Sequence, residues 1–172
     1  LVLWLGSSIG HLSRDSAGGN DAFIAGYDPS GKLRFVKQFG SDGDDYASSI
    51  TMDAEGYLLV TGVSGGRLGP KHFGKEDGFL LKFDSSGTRL WAKQFGTPES
   101  ESAQAVAIDP SGGIFVSGST KGDLGGPNAG SYDVYLAKFD RTGKRLWIKQ
   151  TGSPLLDMSF AAAVDSKGHA YI

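Results

Sequence analysis

Acidic residues that return every 56 residues are the first candidates for chemistry in this sequence. Asp45, Glu101 and Asp157 occupy one position in three successive units. A ring of such carboxylates could bind cations or a basic partner, because carboxylate oxygens are good cation ligands. The same position also suits a solvated loop or a cap on the amides of the next strand, which we favour. Arg67 and His72, in one long loop, complete the predicted binding residues.

Other repeated aspartates are predicted to be structural. Asp21, Asp77 and Asp133 each precede an apolar segment, and we expect them to accept hydrogen bonds from loop amides. Six more stand three residues before a Gly, the spacing of a tight turn in which Asp caps the turn and Gly takes positive φ. These six are Asp28, Asp53, Asp84, Asp109, Asp140 and Asp165.

The sequence predicts no catalytic residue, no metal site and no cofactor. His11, His72 and His169 share no repeat position and lack metal-ligand spacing, so we expect them to be exposed. The segment 42–45, Asp-Gly-Asp-Asp, resembles calcium-loop chemistry but lacks the longer ligand series. No Gly-x-Ser-x-Gly elbow lies between a strand and a helix, and no helix follows the Gly-rich segments to bind a phosphate.

Composition excludes several other classes. The 172 residues carry a formal net charge of −2, which argues against a broad electrostatic surface for nucleic acid. There are no cysteines, so neither a disulfide framework nor a thiolate metal site is available. No apolar run is long enough to span a membrane.

The elements that position these residues form a repeat without insertions. The segment 77–115 recurs from residue 133 and, earlier, from residue 21. Each 56-residue unit contains four short β-strand patterns, here a to d, and no helical periodicity, which predicts an all-β fold of four-stranded antiparallel β-propeller blades. The predicted strands are 46–53, 102–109 and 158–165 for a; 1–5, 57–63, 113–119 and 170–172 for b; 22–28, 78–84 and 134–140 for c; and 32–40, 88–96 and 144–152 for d.

The units divide the chain into a partial propeller of about three blades. Residues 1–40 make a partial blade (b-c-d), 41–96 and 97–152 two complete blades, and 153–172 a second partial blade (a-b). Because the sequence starts and stops within a unit, we expect it to be a fragment of a longer protein. Short a–b and c–d turns should share one end of every blade, leaving the long b–c loops and the d–a loops at the other.

Several motifs together resemble the bacterial SBBP (β-propeller) repeat family. They are the strand d segment 89–96, Arg-Leu-Trp-Ala-Lys-Gln-Phe-Gly, the turn 109–113, Asp-Pro-Ser-Gly-Gly, and strand c segments such as 77–84. The strand order is also similar, more distantly, to that of NHL repeats. Departures are small: Phe35 stands where Trp91 and Trp147 stand, and Thr151 replaces a phenylalanine. The resemblance implies a secreted or cell-envelope bacterial protein with a larger propeller, and it supplies no shared catalytic site.

Two functions remain open from the sequence. The favoured hypothesis is a non-enzymatic interaction scaffold that binds a protein or glycan through its long loops, which fits the general placement of binding sites on loops. The alternative is a carbohydrate-binding or hydrolytic propeller with a site in the central channel. A further hypothesis is self-association, in which 158–165 pairs with 1–40 of another copy so that two chains complete a six-bladed ring.

Overall fold

A computed structural model describes residues 2–12 and 17–172 of the chain. Within these ranges the structure is all-β, in antiparallel sheets of three, four, four and two strands that form an open arc of blades. The strands are β1 (Val2–Ser8), β2 (Asp21–Tyr27), β3 (Leu33–Phe39), β4 (Asp45–Met52), β5 (Leu58–Ser64), β6 (Asp77–Phe83), β7 (Arg89–Phe95), β8 (Glu101–Ile108), β9 (Ile114–Thr120), β10 (Asp133–Phe139), β11 (Arg145–Thr151), β12 (Ala163–Val164) and β13 (Ala170–Tyr171).

Tight Asp–Gly turns set the register of the hairpins. In the turn between β6 and β7, Asp84 Oδ1 accepts hydrogen bonds from the amides of Ser86 and Thr88, both at 2.9 Å. Gly87 closes this turn with a φ of 80°, a backbone conformation that glycine adopts easily because it has no Cβ. The predicted turn caps are confirmed, since all six aspartates accept such bonds and all six glycines have positive φ.

The core lies between neighbouring blades. Between the second and third blades, Leu80, Phe95 and Tyr135 are buried in one cluster, against which Trp91 packs from the outer strand. A matching cluster joins the first and second blades, and Phe79 in it is fully buried. A sheet covered on both faces needs nearly continuous apolar strands, and every residue of β6 is buried.

Apart from β1, which continues to Ser8 beyond the predicted end at residue 5, the observed strands begin and end within one residue of the predicted ones except in the last unit. There the predicted strand 158–165 is reduced to β12, paired only with β13, and Phe160 is 77% exposed. A two-stranded ribbon is marginal without further strands to pair with, which explains the short pairing. Leu1 of the predicted first strand lies outside the described residues, and the pairing with another copy stays a prediction.

Lysines of strand c form ion pairs with the a–b turns. Lys138 Nζ lies 3.0 Å from Asp109 Oδ2, and Lys82 Nζ lies 3.2 Å from the equivalent Asp53. Burial disfavours ionisation of Asp109. Hydrogen bonds from Ser111 and Gly113, with Lys138, outweigh this effect and hold its pKa at about 2, below the ordinary 3.8. This turn is therefore stabilised in its ionised form.

Candidate binding site on the long-loop face

The long-loop face is the end of the blades that carries the b–c loops and the d–a loops, and a buried amide holds each long loop in place. In the second blade, Gln94 Oε1 accepts hydrogen bonds from the amides of Leu68 and Gly69 at 2.9 and 2.8 Å. Gln94 Nε2 donates to the Gly66 carbonyl at 2.7 Å and to Asp77 Oδ2 at 2.8 Å. One side chain on strand d thereby fixes a loop more than twenty residues away in the sequence.

The aspartate that begins strand c completes this network. Asp77 is fully buried, and its Oδ2 also accepts a hydrogen bond of 2.7 Å from the Phe73 amide. The predicted bonds from Asp21, Asp77 and Asp133 to loop amides are therefore confirmed. The three equivalent pairs are Asp21 with Gln38, Asp77 with Gln94, and Asp133 with Gln150.

The second oxygen of each of these aspartates has no hydrogen-bond donor in the described structure. Asp77 Oδ1 instead lies directly against Gly96, where a Cβ would overlap it and approach Glu101 Oε2 to 2.7 Å. Such a position suits a weak Cα–H···O contact and admits no side chain. Gly40 and Gly152 hold the same relation to Asp21 and Asp133.

The acidic residues predicted as a binding ring lie inside the d–a loops. Asp45 and Glu101 are buried, and Asp157 is partly buried. Asp45 Oδ2 accepts hydrogen bonds from the amide and hydroxyl of Ser41 at 2.6 and 2.8 Å. Burial raises the pKa of the Asp45 carboxyl, and the charge of Asp21 adds to this effect. The side chains of Asp45 and Glu101 are thus engaged within the loop, and binding by Asp45, Glu101 and Asp157 stays a prediction.

Arg67 and His72 both lie in the b–c loop of the second blade. Arg67 is exposed, and its guanidinium donates to the Pro70 carbonyl at 2.8 Å. His72 is partly buried, contrary to the expected exposure, with Nε2 3.8 Å from Asp77 Oδ2. His11 and His169 are exposed as expected. The structure therefore brings the predicted residues to one end of the blades without joining them into one site.

Neighbouring blades are tied together at the same end. The Glu76 carbonyl, at the end of one long loop, accepts a 2.8 Å hydrogen bond from the Glu101 amide at the start of the next blade. Asn20 and Tyr132 make the same contact to Asp45 and Asp157. Each long loop is thus fixed both at its beginning, by the buried glutamine, and at its end.

A cavity opens where the a strands meet this face; we call it the mouth cavity. Its volume is about 460 Å³, and it is bordered by Tyr46, Glu76, Glu101, Gln104, Tyr132 and Met158 among others. β-Bulges at Ser48 and Gln104 place an extra residue of strand a here, which is one way in which strands re-aim side chains.

Sequence reasoning did not identify the mouth residues, although a signal was present. Strand a keeps small residues at two repeat positions, yet Tyr46, Ser102 and Met158 differ completely at a third, and so do Ser48, Gln104 and Phe160 at a fourth. Variation at these two positions of a strand that keeps small residues at two others indicates side chains that face a partner and not the core.

The described ranges, 2–12 and 17–172, contain no group of three or more His, Asp or Glu side chains that could hold a metal ion. In the same ranges no helix is long and apolar enough to cross a membrane.

Four-stranded antiparallel sheets in an arc, packed face to face with cores between them, define blades of the β-propeller class. The model of one family, SBBP, described as a beta-propeller repeat, matches residues 90–126, and the resemblance is confirmed there. This segment runs from β7 into the long loop after β9.

No curated relative matches the chain. Among solved structures, the chain is similar to a protein of unknown function from Bacteroides caccae, with a TM-score of 0.50 and 14% identity over 87% of this chain. The match spans only 44% of that protein's length, and at this identity it bears on the fold alone.

Proposed function

We propose that this propeller module is a non-enzymatic interaction scaffold that binds a protein or glycan partner at the mouth cavity of its long-loop face. The observation that carries the proposal is a cavity lined by strand a side chains that vary between repeats, while other positions of the same strand stay small. A constant frame with variable lining is the usual arrangement of a binding module.

The chemistry of the lining favours a ligand with both apolar and polar groups. Tyr46 is 40% exposed and Met158 is 42% exposed, so both present apolar area to solvent. Gln104 and the exposed Glu76 supply amide and carboxylate groups at the same cavity. Aromatic surface beside hydrogen-bonding groups suits a peptide segment or the face of a sugar.

Glycan hydrolysis is the alternative, and the geometry of Glu101 supports it less well. A glycosidase uses two carboxyl groups facing the substrate. Glu101 is 1% exposed; its Oε1 accepts hydrogen bonds from the Thr97 and Thr120 hydroxyls, and its Oε2 from the Thr97 amide. Both oxygens are therefore engaged in holding the loop.

The test is a selection of ligands from peptide and glycan libraries on the intact chain. Binders are then compared on Tyr46→Ala and Gln104→Ala, and on the control Ser86→Ala in a c–d turn at the opposite end of the blades. We expect the two mouth substitutions to weaken binding about tenfold or more, as loss of a central aromatic contact does, and Ser86→Ala to leave it unchanged. Binders indifferent to both mouth substitutions would exclude this site.

A panel of glycoside hydrolase substrates tests the alternative. Turnover that disappears in Glu101→Gln, in a variant that still unfolds cooperatively, would replace the scaffold proposal with an enzymatic one. The secreted or cell-envelope location is supported by the SBBP resemblance, and fractionation of cells that express the full-length protein tests it. Recovery of the protein in the cytoplasmic fraction would contradict that location.

A further inference from the structure

The outer strands carry positive charges that form no ion pair in the described structure. The d strands β3, β7 and β11 each contain two basic residues and no acidic one. Within the described ranges, none of these six side chains lies within ion-pair distance of a carboxylate, whereas Lys82 and Lys138 of the inner strands are both paired. The six are Arg34, Lys37, Arg89, Lys93, Arg145 and Lys149.

Four of these cations meet in pairs in two repeat-related clefts between blades, which we call the outer clefts. The first has a volume of about 410 Å³ and is bordered by Lys37 of one blade and Arg89 of the next. The second has a volume of about 350 Å³ and is bordered by Lys93 and Arg145. The same two residue types therefore recur at the same place one blade further along.

Packing holds the lysines in the clefts. Lys37 Cγ lies 2.9 Å from where a Cβ of Gly87 would stand, and Lys93 Cγ lies 3.1 Å from the equivalent point on Gly143. The aliphatic part of each lysine thus packs against the turn glycine of the neighbouring blade, while the ammonium group of the lysine has no carboxylate partner in the described structure. A cation ordered in advance loses less conformational entropy when it binds an anion.

We propose that the outer clefts bind an acidic, carboxylate-bearing polysaccharide that crosses from blade to blade. The guanidinium of Arg89 can bind a carboxylate through two parallel hydrogen bonds, and Lys37 adds a point charge beside it. This surface is separate from the mouth cavity, so the inference does not depend on the proposed function.

The placement of the charges favours a polysaccharide over three other polyanions. An acidic peptide added to the sheet edge would run along one strand, whereas each cleft joins cations of two different blades. A flat bilayer meets projecting side chains, but Lys37 and Lys93 are partly buried. Nucleic acid needs a broad basic surface, and this chain has a net charge of −2.

The two clefts differ in one acidic residue. Asp123 borders the second cleft, whereas no acidic residue among residues 2–12 and 17–172 borders the first. Because a nearby carboxylate repels an anionic ligand, we expect the Lys37–Arg89 cleft to contribute more to binding than the Lys93–Arg145 cleft.

The experiment measures binding of the intact chain to oligogalacturonate by calorimetry in calcium-free buffer at low salt. Fully methyl-esterified oligogalacturonate, which has the same backbone without charge, is the matched ligand. We expect binding to the acid form, no binding to the ester, and weaker binding as salt is added. Equal binding of both forms, or binding to neither, would overturn the proposal.

Variants then locate the site. The double variant Lys37→Gln/Arg89→Gln should weaken binding by about fivefold or more, as expected for two partly exposed ion pairs, and Lys93→Gln/Arg145→Gln should weaken it less. The control Lys121→Gln/Lys167→Gln removes the same charge outside the d strands and should change binding less than twofold. An equal loss in the control pair would show a general charge effect and contradict the outer clefts.

Two further arms exclude misfolding and other ligands. Arg89→Gln alone, an exposed side chain, should unfold like the unmodified chain and still weaken binding, and Lys37→Arg/Arg89→Lys should retain most of it. Tighter binding of polyglutamate, single-stranded DNA or phosphatidylglycerol vesicles than of oligogalacturonate would assign the clefts to another class of polyanion and overturn the proposal.

Discussion

Replacing Gln94 by Ala tests the idea that one buried amide holds a whole loop. The side chain makes four hydrogen bonds and is 8% exposed. Each bond contributes about 1 kcal/mol net, and loop groups left buried without a partner add to the loss. Part of the loop can be hydrated, so we expect the free energy of unfolding to fall by about 3 kcal/mol, out of a total of about 5–15 kcal/mol for a domain.

Urea unfolding followed by tryptophan fluorescence measures the effect, because Trp91 packs against the adjoining core. Gln104→Ala is the matched control, because Gln104 is a partly buried glutamine for which the described structure shows no hydrogen bond. We expect it to change the free energy of unfolding by no more than about 0.5 kcal/mol. Gln150→Ala, at a less buried copy of the network, should fall between the two. A loss below about 1 kcal/mol for Gln94→Ala would refute the reasoning, because four hydrogen bonds cannot be worth so little.

Three other substitutions probe separate parts of the same frame. Gly96→Ala should lower the thermal unfolding midpoint, because the new Cβ would overlap two carboxylates and reduce the free energy of unfolding by about 1–3 kcal/mol. Gly126→Ala is the control and should leave the midpoint unchanged, since the nearest atom to a Cβ there is 3.9 Å away. Asp109 has a pKa of about 2 in the folded chain against 3.8 normally, so above pH 4 it contributes up to about 2 kcal/mol to the free energy of unfolding, and this contribution is lost as the pH falls towards 2. Asp109→Asn should therefore make the free energy of unfolding depend less on pH between about 4 and 2. An acid unfolding profile identical to that of the unmodified chain would contradict the assignment. Tyr135→Phe removes the 2.8 Å hydrogen bond from the hydroxyl to the Ser102 carbonyl and should lower the free energy of unfolding, measured in urea, by about 1 kcal/mol. Because the previous unit has Phe79 at the equivalent position, the site accepts a phenylalanine, and a loss above about 3 kcal/mol would contradict this reasoning.

The strands and turns could be predicted because their signals repeat. Each Asp–Gly turn encodes its own geometry locally, and three copies in one register exclude chance. The last unit shows the limit: residues 158–162 occupy the same repeat positions as parts of β4 and β8, yet they form no strand where a full set of neighbours is missing. Pairing depends on partners that one segment's sequence does not contain.

The site was harder to predict, because burial depends on tertiary contacts. Asp45 and Glu101 have the residue type and spacing of an exposed ring, but the d–a loop folds over them and uses their oxygens as caps. The glutamine network was missed for the opposite reason: Gln94 occurs in a polar strand where nothing local distinguishes it from a solvated residue. Its partners lie 17 to 28 residues away in the sequence.

Fixing a long loop at both ends has a consequence for how this architecture can diversify. The exposed residues between the two attachments, such as 70–71, carry little of the frame's stability, so insertions there should leave the blade intact. Natural variation, or a laboratory graft of a foreign peptide, can therefore change what the tip recognises in one blade at a time. An array of such blades would evolve new specificities without first having to refold.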